Sequence, residues 1–216
     1  MSVRSRWIEA VERLGGDGDT AGKAVRDLET RYNEPHRRYH DLAHAHSVAR
    51  HADELAQALS TEDRALIVLA ACAHDVIYDA KPGDDERRSA EWARDWLTRA
   101  GLAASHIDRV SQLILTTLSH DAAPEDVLAT ALLDADLATL GASEDVYDQY
   151  ARNVREEFKY VDDEAWTSGR AAVLEKLLAK DPLFRSPAAR LRWEASARAN
   201  LTRELTRWRQ PATDLG

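Results

Sequence analysis

Apolar residues recur along this chain at intervals of three and four, and no window alternates convincingly with the period of two that a half-buried strand requires. Turn signals divide the pattern into roughly ten helical segments. An amphipathic first helix ends at GGDGD, 15–19, and a second runs to about Tyr32. After Asn33-Glu34-Pro35, Asp41 is placed to cap a third helix, whose apolar positions Leu42, Ala45, Val48, Ala52, Leu55 and Leu59 keep helical spacing. Ser60 or Thr61 caps a fourth. Its ALIVLAACA stretch is apolar on every side, as in a helix buried in the middle of a bundle, and it ends at HDVIYD, 74–79.

KPGDD at 81–85 predicts a turn, followed by a helix to Ala100 that Gly101 closes, and another over about 105–119. Pro124 is expected in the first turn of the next helix, which runs through LLDADLATLG to near Gly141. Ser143 and Asp162 are expected to cap helices reaching about Tyr160 and Lys180, and a last helix follows Pro187. The pattern predicts one all-α domain over 1–216 with its core at about 20–140. Residues after about 142 form an added helical layer.

Composition agrees with helix: Ala, Leu, Arg, Glu and Asp are abundant, with only 9 Gly and 6 Pro in 216 residues. The net charge of −9, with acids interleaved among the bases, disfavours nucleic acid as a partner, because phosphate backbones are bound by basic stripes. No stretch of about 18 apolar residues is present, so no membrane span is expected. A single cysteine, Cys72, excludes an intrachain disulfide. In its apolar run it reads as a buried, inert thiol, and the cytoplasm is the expected compartment. The six tryptophans are spread widely and read as packing residues.

Candidate chemistry concentrates in three places. Five of the eight histidines lie between 36 and 51. His40 and His44 are four apart and share a helix face, and the apolar stripe brackets His44 and tilts it inward; His46 and His51 are expected to face solvent. Clustered histidines also fit a solvated surface, so this group alone decides nothing. His74-Asp75 ends the all-apolar helix, where an imidazole and a carboxylate are hard to solvate and need pairing, hydrogen bonds or a cation. Asp134 and Asp136 lie in an apolar stretch, and two buried carboxylates repel unless a proton or a cation intervenes. Imidazole nitrogens with carboxylate oxygens suit Mn, Fe, Zn, Co or Ni better than Ca.

The order His44, His74-Asp75, Asp136 resembles the signature of the HD superfamily of metal-dependent phosphohydrolases. YHDLAHA, 39–45, resembles the YHNxxHA motif of the cyclic-nucleotide phosphodiesterase branch, with Asp41 in place of Asn. HDVIYD resembles the HDxxED of the (p)ppGpp hydrolases, with Tyr78 in place of Glu, and ADLATL resembles their ADRL segment. EPHRRYH, ERRSAE and the late RANLTREL add likeness to a bacterial group described as HD phosphohydrolases, so the resemblance covers nearly the whole chain. It implies an HD-type helical bundle and a divalent cation (Mn, Fe, Zn, Co, Ni or Mg) held by His44, His74, Asp75 and Asp136. Asp136 is favoured over Asp134. The resemblance further implies His40 as general acid and Asp79 as the group orienting water.

Arg38, Arg88 and His120 are candidate contacts for a phosphorylated substrate, although the arginines fit surface pairs equally and His120 fits a loop residue without a role. Tyr150 and Arg155 read as packing residues that also have access to a cleft. The expected activity is hydrolysis of a phosphate ester or anhydride of a small nucleotide or related metabolite. Two other classes stay open: a di-iron oxygenase, for which His120 and His106 are the further ligands to nominate, and a non-catalytic nucleotide-binding module.

Overall fold

A computed structural model of the protein describes residues 1–80 and 84–209; of the turn expected at 81–85, residues 81–83 lie outside this description. Every regular element among the described residues is helical, so the fold is all-α. Two compact units divide the chain, Met1–Asp136 and Leu137–Gly216.

The first unit contains α1 (Val3–Arg13), α2 (Gly18–Tyr32), α3 (Leu42–Leu55), α4 (Thr61–Ala73), α5 (Asp84–Arg99), α6 (Ala104–Ser119) and α7 (Val127–Asp136). Local chemistry sets most of the starts. Asp17, Asp41 and Ser60 each accept a hydrogen bond from a backbone N–H of the first turn, satisfying groups the helix itself leaves unpaired. Gly101 closes α5 at φ 80, a backbone conformation that disfavours any residue with a Cβ.

Helix α4 is the centre of the unit. Ala65 to Ala73 are all buried, and the helix packs on α1, α3, α6 and α7. Ile67 and Leu69 are fully buried, so truncating either to alanine removes about 2–5 kcal/mol. Cys72 lies in the same stretch, and burial pushes its thiol up to about 12, consistent with an inert group.

Helix α7 begins at Val127 rather than near Pro124. Arg109 holds the Asp126 carboxylate at 2.9 Å through Nη1, and Asp126 Oδ1 accepts the Ala129 N–H at 2.9 Å. The cap is thereby fixed two residues beyond the proline. Its other end passes at Asp136 from α-helix into a 3-10 turn, Leu137–Gly141.

The second unit contains that turn, α8 (Glu144–Glu157), α9 (Asp163–Leu178), and a final helical run. The run begins as α10 (Pro187–Ala189), widens through one π turn (Arg190–Glu194) and ends as α11 (Ala195–Arg209). At Gly141 an added Cβ would meet Trp193 backbone and Cβ atoms within 2.5–2.9 Å, so only glycine allows the turn to pack there. Tyr150 and Arg155 pack inside this unit. Tyr150 lies beneath the Arg170 guanidinium, and Arg155 donates to the Phe158 and Val161 carbonyls.

The polar centre of this unit is a buried ion pair. Arg170 Nε and Nη2 donate to the two Glu204 oxygens at 2.8 and 2.9 Å, and the Tyr147 hydroxyl donates to Glu204 Oε2. Burial opposes ionisation of Glu204, but Arg170 outweighs it and holds the pKa below 4.5. A depressed carboxylate stabilises the folded state above its unfolded pKa, and that stability is lost as pH falls through the folded value. Hydrogen exchange on the full chain is therefore expected to show α9 and α11 amides losing protection below about pH 4.5 in the wild type. Arg170→Ala, which strands Glu204, is expected to lower their opening free energy at neutral pH by about 3–5 kcal/mol. Unchanged protection in Arg170→Ala would show that the pair contributes nothing to the unit.

Candidate metal centre

Two side chains of the centre come from helices that place them by register. In α3 the buried stripe runs through His44, Ala45, Val48, Ala49, His51 and Ala52. The Asp41 cap fixes its start, since Asp41 Oδ1 accepts the N–H groups of Ala43 and His44 at 2.9 and 3.1 Å. His51 is thus buried, not solvent-facing as the sequence suggested. It lies seven residues from His44 on the same stripe, with Nε2 accepting from Arg50 at 2.8 Å. In α4 the buried apolar run Ala65–Ala73 ends on His74, whose side chain is fully buried and whose Nδ1–H donates to the Ala71 carbonyl at 2.9 Å. That bond commits Nδ1 as the donor and leaves the Nε2 lone pair for another partner.

The two Nε2 atoms meet 3.2 Å apart. Asp75 Oδ2 lies 3.0 Å from His74 Nε2 and 3.4 Å from His44 Nε2. Asp136, the last residue of α7, brings Oδ1 to 3.2 Å from His44 Nε2 and 3.4 Å from His74 Nε2. At metal–ligand distances of about 2.1 Å, adjacent donors of an octahedral or tetrahedral shell lie roughly 3.0–3.4 Å apart. The measured separations fit that spacing, and the His44, His74 and Asp75 group could hold a metal ion. Asp134, two residues earlier on α7, is fully buried.

The electrostatics are those of a cluster held together by opposite charges. Burial opposes protonated His74, but Asp75 and Asp136 outweigh it and raise its pKa well above 6.5; His44 is raised in the same way. Burial likewise opposes the two carboxylates, and the imidazoles overcome it, holding Asp75 and Asp136 well below the ordinary carboxylate range. Two protonated imidazoles would point N–H groups at each other across 3.2 Å, an arrangement that a cation accepting both lone pairs removes.

The remaining candidates fall at varied places. His40 is half-buried, its ring stacked on Tyr78 at 4.3 Å and edge-on to His44 at 5.6 Å, and its charge helps depress Asp75. His120 ends α6 in a left-handed conformation and sets Nε2 3.1 Å from Asp136 Oδ2, the oxygen opposite the one near His44. Asp79 and Arg88 form a surface ion pair at 2.7 Å. Arg38 is exposed and donates to the Pro35 and Arg37 carbonyls of its own turn. His106 lies beside Glu62 at 3.3 Å.

Arg37, not Arg38, is the arginine built into the centre. Its side chain is almost wholly buried and donates to the carbonyls of His40, Asp75 and Val76 at 2.9, 2.7 and 3.0 Å, with its plane against Tyr32 and Tyr78. The Tyr32 hydroxyl accepts the Asp75 N–H at 3.3 Å. Neither residue has a sequence signal of its own, because two adjacent arginines after a proline read alike until the fold buries one. Outer partners of this kind are worth roughly 10–100-fold in metal affinity. Arg37→Ala is expected to weaken binding of Mn or Zn by that factor, measured by calorimetry, while Arg38→Ala leaves it unchanged. Equal effects of the two variants would remove the distinction.

No protein-family model, curated protein or solved structure matches the chain. No helix among the described residues is long and apolar enough to cross a membrane.

Proposed function

We propose that the protein is a metal-dependent phosphohydrolase of the HD type, acting on a phosphate ester or anhydride of a small nucleotide or related metabolite. The observation that carries the metal part of this reading is the approach of two imidazole Nε2 atoms to 3.2 Å, with the Asp75 and Asp136 carboxylates each 3.0–3.4 Å from both and His74 Nδ1 already committed to Ala71. His44, His74, Asp75 and Asp136 would hold the cation. When bound, a divalent cation lowers the pKa of water and stabilises charge on phosphoryl oxygens. His40 precedes the α3 cap rather than sharing a helix face with His44, and its half-buried ring, 5.6 Å from that of His44, would give a proton to the leaving oxygen in this reading. The resemblance in YHDLAHA and HDVIYD supports the choice of phosphoryl chemistry. Asp79 takes the water-orienting role in this reading, and Arg38, Arg88 and His120 are its candidates for contact with phosphate, of which His120 adjoins the cluster through Asp136.

Turnover against a panel of nucleotides and phosphate esters with Mn, Mg, Co, Ni, Zn or Fe tests the proposal. Release of phosphate or a nucleoside monophosphate is expected with at least one metal, and no turnover with any of them would remove the hydrolase reading. Within it, Asp136→Asn is expected to lose metal far more than Asp134→Asn, since the two side chains project about 200° apart on a helix; the opposite ranking would overturn the ligand assignment.

A second reading rests on His120. Its approach to Asp136 Oδ2 gives that carboxylate a partner on each oxygen, as a centre with two irons would require. Two iron atoms per chain and an oxygen-consuming reaction would favour it over hydrolysis.

A further inference from the structure

A charged cavity in the first unit is lined by none of the residues of the His–Asp cluster. It has a volume of about 220 Å³ and is lined by one face of α1 (Arg6, Glu9, Ala10, Arg13), by Asp53 of α3, and by Arg64, Ala65 and Val68 of α4, with Met1 at its edge. The α1 residues recur at intervals of three and four, so the helix turns a single mixed-charge stripe toward the space.

Three guanidiniums face two carboxylates there. Asp53 is shared: its Oδ2 accepts from Arg6 Nη1 at 3.2 Å, and its Oδ1 accepts from Arg64 Nε and Nη2 at 2.9 and 2.7 Å. One carboxylate therefore serves two arginines, each of which carries five N–H donors. Arg6 is mostly buried, and its Nε has no hydrogen-bond partner among the described atoms. A buried donor left unpaired costs free energy, and a bound anion is one of the ordinary ways in which it is satisfied. Arg13 brings a further positive charge to the rim. The lining is thus net positive in a chain whose net charge is −9.

We propose that this cavity binds a small polyanion with phosphate or pyrophosphate chemistry, through Arg6, Arg13 and Arg64. Planar guanidiniums match phosphoryl oxygens in pairs, which an ammonium does not. Size decides the class of ligand: pockets for drug-sized molecules span roughly 300–1,000 Å³, so 220 Å³ suits inorganic phosphate or pyrophosphate rather than a whole nucleotide. The site is separate from the proposed metal centre. Arg64 and His74 lie ten residues apart along α4 and its end, roughly 15 Å at 1.5 Å per residue. The same helix thus carries both, and occupancy of the cavity would brace the end of α1 against α3 and α4.

Calorimetric titration of the metal-free full chain with pyrophosphate tests the proposal, with His74→Ala and Arg13→Gln titrated in parallel. Saturable binding is expected in the wild type and in His74→Ala, weakened at least tenfold in Arg13→Gln. Arg13 is exposed, so its replacement leaves the fold intact; Arg6→Gln serves as the second variant, its melting temperature checked against the wild type. A polyanion that also raises the wild-type melting temperature, but not that of Arg13→Gln, would support the assignment by a second route. Absence of saturable binding up to about 10 mM pyrophosphate would overturn it. So would binding that disappears in His74→Ala and survives in both arginine variants, which would place the anion at the metal centre.

Discussion

Replacing His74 with alanine is expected to abolish metal binding and, with it, any hydrolysis. His74 is fully buried at the end of α4, and its Nε2 is within 3.4 Å of His44, Asp75 and Asp136. Its loss removes a donor and also an opposite charge from between two buried carboxylates. Without that partner the Asp75 and Asp136 pKa values move up, because burial then acts on them with less opposition. The fall in affinity should exceed the 10–100-fold typical of losing an outer partner such as Arg37. The variant is a large-to-small change at a fully buried position, so its melting temperature needs to be followed alongside. Asp75→Asn, which keeps the volume, separates loss of a ligand from loss of packing. Full metal occupancy in either variant by elemental analysis would rule the assignment out.

The second large effect belongs to His40. Its replacement by alanine is expected to leave metal content intact while turnover falls by about 10²–10⁴-fold, the range for a lost general acid. The distinguishing readout is leaving-group dependence. Nitrophenyl esters leave without much protonation, so the loss should shrink for them and persist for nucleotides and alkyl phosphates. An equal loss across both kinds would mean that His40, stacked on Tyr78 and beside His44, holds the site in shape instead.

The parts of this centre that could be read from the sequence are those governed by short-range rules. Asp41 as a cap fixes the phase of α3, and the stripe that follows turns His44 inward. The apolar run Ala65–Ala73 that closes α4 leaves His74 no solvent to face. Asp136 came from the resemblance in ADLATL. Burial of His51 follows from the same stripe, seven residues on, but its polarity masked the pattern. Arg37 and Tyr32 were out of reach for a different reason: their partners, the Asp75 backbone and the Val76 carbonyl, are nearly forty residues or more away in sequence. The start of α7 was misplaced because proline at a first turn is a common local signal, whereas the Arg109 contact that fixes Asp126 is tertiary.

The charged cavity between α1, α3 and α4 has the same character. Arg6, Asp53 and Arg64 look like ordinary surface charges until the helices bring one carboxylate between two guanidiniums.

The claim that the His–Asp cluster is a metal site is tested most directly by titrating chelator-treated wild-type protein with Mn, Zn and Fe(II) in a calorimeter. Saturation at one cation per chain, absent in Asp75→Asn, is the expected result. No saturable binding of any of the three, from a wild-type chain that remains folded, would contradict it and leave the cluster as a buried network of ion pairs.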